Sequence, residues 1–119
     1  MSGAGFPSGF RFGVATSAQQ IEGAAREDGR GESVWDRFAS TPARVKDRST
    51  SDVACDHYNR YAEDIKLAKE LNLKIFRMSV EWARIEPVEG RFDEKELAHY
   101  RAVIDEVRRN GLIPFVTVF

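Results

Sequence analysis

Two rhythms of apolar residues run along this chain. Phe10, Phe12 and Val14 alternate with Arg11 and Gly13 after an entry through Pro7 and Gly9, which predicts a first short strand over 10–15. Residues 16–30 are small and polar and include Gly23 and Gly29, with Gly31 close behind, so a long loop is predicted. Val34, Trp35 and Phe38 stand at helical spacing and predict a short helix over 32–38; residues 40–51 are polar and irregular again. Between Asp56 and Leu71 the residues Tyr58, Tyr61, Ile65 and Ala68 share one face of an amphipathic helix. Asn72 tolerates the left-handed conformation that ends a helix, and 73–78 then read as a buried strand. After Pro87 and Gly90, Asp93 and Glu96 have the spacing of a capping box, followed by the stripe Leu97, Tyr100, Ile104 and Val107. Gly111 ends that helix, and 112–119 is an apolar run whose Pro114 suits the start of a strand.

The order is therefore β, α, β, α, β, with apolar strands that lack a polar alternating face. That is the pattern of a parallel sheet covered by helices, an α/β fold. Three strands and two crossovers cannot close on themselves, and the last strand is expected to present an open, apolar edge. An incomplete barrel or doubly wound sheet is the simplest reading; there is no repeat at solenoid spacing and no low-complexity tract.

Composition narrows the partners. The 119 residues are 42% apolar and 31% charged, ordinary for a soluble domain, and 18 Lys and Arg against 19 Asp and Glu leave a net charge of −1. No basic field exists to attract phosphate backbones, so nucleic acid is not an expected partner. The single Cys55 can form no internal disulfide and no thiolate metal cluster, which favours a reducing, cytoplasmic setting. The first residues have neither the basic nor the apolar region of a signal peptide. No window approaches the roughly 18 apolar residues of a membrane span.

The run from Phe10 to Ala24, with Gln20-Ile21-Glu22-Gly23 at its core, resembles the N-terminal signature of family 1 glycoside hydrolases. Ser33-Val34-Trp35-Asp36, the stretch from Asp56 to Ile65, the stretch from Phe76 to Pro87 and the final Pro114-Phe115-Val116-Thr117-Val118-Phe119 match further family segments in the family's order. Gln19 departs from the pattern, which usually has an aromatic residue, His or Asn there. The resemblance implies the N-terminal part of a (β/α)8 barrel, cut in or after its third strand, from a retaining β-glycosidase of β-glucosidase type active in carbohydrate metabolism. It implies no metal and no organic cofactor. It also implies that the acid/base and nucleophile glutamates lie outside these residues, so the 119-residue chain is expected to be inactive alone.

By the same resemblance Gln20, just past the first strand, binds the substrate sugar; an amide can both donate to and accept from hydroxyls. Arg77 supports the nucleophile. A guanidinium in an apolar strand is costly without a carboxylate or several acceptors, so Arg77 needs a partner and is orphaned in this segment. A structural ion pair is the blander reading of Arg77, and a loop glutamine capping local backbone that of Gln20. Glu22 is read as a framework residue, and Trp82 as packing in the core. His57 and His99 take solvated or core-edge positions, and Glu63, Asp64 and the charges over 93–109 form solvated helix faces. Two other readings stand beside the enzyme: a non-catalytic carbohydrate-binding or co-receptor-like relative, and a truncated product without independent function, prone to aggregation or partial disorder.

Overall fold

A computed structural model describes residues 5–118; residues 1–4 of the N-terminal run and Phe119 of the last predicted strand lie outside them. Three strands, β1 (Gly13–Ala15), β2 (Ile75–Val80) and β3 (Ile113–Val118), form one sheet in the order β1-β2-β3. Both pairings are parallel, with Gly13 opposite Ile75, and Ile75 opposite Ile113. Five helices accompany them: α1 (Ala18–Ile21), α2 (Val34–Ser40), α3 (His57–Glu70), α4 (Trp82–Ile85) and α5 (Glu94–Arg109).

The crossover helices α3 and α5 do what their patterns predict. Tyr58, Ile65 and Ala68 are buried on one face of α3, with Tyr61 half-buried beside them. Phe76 and Met78 of β2 pack beneath Ile65, Ala68, Tyr100, Val103, Val107 and Leu112, the core of the segment. Asn72 ends α3 at φ 59°, and Gly111 ends α5 at φ 76°, both in the left-handed region.

Several boundaries move for identifiable reasons. The first strand begins at Gly13, not Phe10. Phe10 and Phe12 turn outward and gather with Phe6, ring centroids 4.5–5.0 Å apart. At Gly13 a Cβ would lie 2.7 Å from the carbonyl oxygen of Ile75, so only glycine allows this closest approach of β1 to β2. The second strand runs 75–80, so the alternate positions Ile75, Arg77 and Ser79 face away from the helix layer, half-buried. The predicted capping box at α5 is only half made. Asp93 accepts from the Lys95 and Glu96 amides, but the Glu96 side chain turns to Tyr58. The buried face of α5 is accordingly Glu96, Tyr100, Val103 and Val107, while Leu97 is exposed. A complete capping box instead opens α2, between Ser33 and Asp36. The expected open edge is present: Ile113, Phe115, Val116 and Val118 of β3 are all exposed.

Candidate functional site

The strands run in parallel, so the chain leaves β1 and β2 on the same side of the sheet. The residues after each strand end, 16–22 and 81–86, meet there. The sequence predicts a loop over 16–30, yet Ala18–Ile21 forms α1. A helix of four residues cannot hold itself, and the helical N-cap Ser17 makes no side-chain bond. Long-range partners hold it instead. The Ala18 amide donates to Ser79 Oγ (2.8 Å), and Thr16 donates through its amide (2.9 Å) and hydroxyl (3.0 Å) to the Arg77 carbonyl.

Two polar networks lie under this end. In the first, Arg84 is fully buried, donating to Glu22 Oε2 (3.3 Å) and the Gly23 carbonyl (3.2 Å) with its guanidinium over the Tyr58 ring. Tyr100 donates to the other oxygen of Glu22 at 2.7 Å. Burial raises the Glu22 pKa although Tyr100 and Arg84 pull it down. Both carboxylate oxygens are thus occupied by buried partners, in accord with a framework role. In the second, Arg30 pairs with Asp36 (2.6 Å) and Glu81 (3.3 Å). Burial works to raise Asp36, but the Ser33 amide and Arg30 outweigh it and hold the carboxyl below its ordinary value. Gln19 sits inside this second network.

A cleft of about 600 Å³ opens where the networks end, lined by Gln19, Trp35, Arg77, Ser79, Glu81 and Trp82 among others. A larger hollow of about 770 Å³ over 39–50 draws no residue from any strand. Arg77 donates to the Thr16 carbonyl, and no carboxylate pairs with it among the described residues. Gln20 is exposed on α1, next to the cleft rather than in its lining. Trp82 is not in the core: it is 42% exposed at the cleft, donating to Glu86 Oε2 at 2.7 Å. Its position in the four-residue α4, which the sequence pattern did not signal, turns the indole outward.

The histidines are less exposed than a solvated role requires. His57 is buried, its Nδ1 2.7 Å from Asp64, which is therefore not a freely solvated charge. His99 packs against Tyr58, Tyr61 and Tyr100. Among the described residues no group of three or more His, Cys, Asp or Glu is arranged to hold a metal, and no helix is long and apolar enough to cross a membrane.

A parallel sheet with crossover helices on it, and polar side chains collected at the strands' C-terminal ends, defines a segment of a (β/α) barrel whose functional face is that end. The sequence profile of "Glycosyl hydrolase family 1" matches residues 2–119, and the chain belongs to that family. It is 48% identical over 120 residues to "Beta-glucosidase A" of Acetivibrio thermocellus, covering all of this chain and 27% of that protein. The crystal structure of the AHE enzyme from Alicyclobacillus herbarius superposes with a TM-score of 0.93 at 49% identity, over 97% of this chain and 26% of that one. The family 1 β-glucosidase of Thermotoga maritima gives a TM-score of 0.91 at 48% identity, over 96% and 26%. The chain thus spans about a quarter of the length of the relatives it matches, and corresponds to the N-terminal part of their (β/α)8 barrel.

Proposed function

We propose that these residues are the first quarter of a retaining β-glycosidase barrel of β-glucosidase type, acting on β-linked glycosides. The observation that carries the proposal is Arg77, which opens onto the strand-end cleft and has no carboxylate partner among the described residues. In this reading its guanidinium receives the nucleophile carboxylate, holding it ionised and aimed. Both catalytic carboxyls come from parts of the barrel outside residues 1–119, about 5 to 5.5 Å apart across the glycosidic bond. One attacks the anomeric carbon while the other protonates the leaving oxygen; the second then activates the water that releases the sugar. Gln20 contributes the amide that binds the sugar's hydroxyls. The reading calls for no metal and no organic cofactor, since two carboxyl groups and water supply every proton and bond. The lone Cys55 supports a cytoplasmic setting.

The test is a composite barrel in which residues 2–119 replace the matching segment of the Thermotoga maritima β-glucosidase, which is 48% identical over 115 residues. Hydrolysis of an aryl β-glucoside by the composite, with none by the 119-residue chain alone, is the expected result. A folded composite that binds sugar but turns nothing over would instead favour a carbohydrate-binding role, and turnover by the isolated chain would overturn the division of labour.

A further inference from the structure

Gln20 stands on a helix too short to fix its own orientation, so something else must aim it. The strongest constraint on the outer side of α1 is the side chain of the preceding residue. Gln19 uses both ends of its amide. Its Nε2 donates to Ser51 Oγ at 2.6 Å and, more weakly, to Asp36 Oδ1 at 3.4 Å. Its Oε1 accepts from Arg30 Nη2 at 3.2 Å and from Ser33 Oγ at 3.3 Å. The acceptors and donors around it are themselves held: Arg30 by Asp36 and Glu81, and Asp36 by the Ser33 amide at 2.8 Å. One side chain therefore ties α1 to the N-terminus of α2, to the loop at residue 51 and, through Arg30 and Glu81, to the end of β2.

Successive residues of a helix point about 100° apart, so fixing the direction of Gln19 fixes that of Gln20. We propose that Gln19 is a positioning residue for sugar binding, its saturated amide holding α1 so that the Gln20 amide is presented to the glycone. The inference rests on the sugar-binding reading of Gln20. An exposed amide on a four-residue helix would otherwise sample many directions, and misplacement of a binding group by about 1 Å is enough to lower the rate steeply.

The experiment is a double-mutant cycle in the composite barrel, reading kcat and KM for an aryl β-glucoside beside a thermal melt. Gln19→Met keeps the length of the side chain and removes all four hydrogen bonds; it is expected to lower kcat/KM by about tenfold or more. Gln20→Ala is expected to lower it by about 100-fold. If Gln19 acts through Gln20, the double variant is no worse than Gln20→Ala alone, a non-additivity that a loss of general stability does not produce. Ser51→Ala, a milder change in a loop, should reproduce the Gln19→Met effect in smaller measure and covers the case in which that variant folds poorly. Losses that multiply in the double variant, or full activity in Gln19→Met, would sink the positioning role alone. A neutral Gln20→Ala would sink the sugar-binding reading beneath it.

Discussion

Arg84 and Glu22, 62 residues apart in the chain, form an ion pair of 3.3 Å with their side chains 0% and 6% exposed. Removing one partner of such a pair leaves a buried, uncompensated charge, and that costs more than the pair contributes. Glu22→Ala is expected to destabilise the composite barrel by about 3–5 kcal/mol in urea titration. Glu22→Gln, whose one carbonyl oxygen can still accept from Arg84 while its NH2 must donate toward the Tyr100 oxygen, should cost about 1–2 kcal/mol. Both variants remove the carboxylate charge, so equal costs would show that the charge, and not the hydrogen bonding, is what holds Arg84.

The Tyr58 hydroxyl lies 2.9 Å from Glu96 Oε1 and 3.0 Å from Asp28 Oδ2, yet a phenol has one proton to give. Asp28 is held low by its hydrogen bond to Lys95, whereas burial pushes the Glu96 carboxyl up, so Glu96 is the first of the two to take up a proton as the pH falls. A carboxyl raised in the folded state contributes stability that is complete below its usual 4.5 and is lost as pH rises through the folded value. Glu96→Gln supplies a permanent donor and should stabilise the composite at pH 8 by about 1 kcal/mol, with less gain at pH 5, in paired thermal melts.

Burial lowers the His99 pKa from 6.5 to about 4, with the Arg84 charge adding to the effect. The unfolded chain therefore takes up a proton first as the pH falls. Stability is full above 6.5 and is lost between there and about 4, by no more than about 3 kcal/mol. Proton NMR of the His99 ring in the composite should show titration near 4; an ordinary midpoint near 6.5 would refute the burial. His99→Phe should flatten the acid limb of the stability curve.

Gly23 adopts φ 65°, and a Cβ there would lie 2.0 Å from the Val53 carbonyl oxygen, a backbone atom that cannot step aside. Gly23→Ala is expected to prevent folding of the composite. Gly29→Ala, at φ 76° with nothing within 4 Å, should cost only the left-handed penalty of about 1–2 kcal/mol. Similar melting temperatures for the two variants would show that the contact with Val53 yields.

The sequence by itself determined the parallel β-α-β-α-β order, the buried face of α3, the left-handed stops at Asn72 and Gly111, and the family. Each is written in local periodicity, in a residue's own conformational preference or in a contiguous motif. The tertiary structure alone decided the rest. The helices α1 and α4, four residues each, have no periodic signal and exist because partners such as Ser79, 61 residues from Ala18, satisfy their ends. Glu96 is buried because Tyr58 reaches it from another helix, which shifts the inner face of α5 away from Leu97. Trp82 points to the cleft because of where α4 sits, and Gln19 has a role only because Arg30, Ser33, Asp36 and Ser51 converge on it. Hydrogen bonds between residues far apart in the chain depend on how the strands and helices pack. That packing leaves no trace in local pattern.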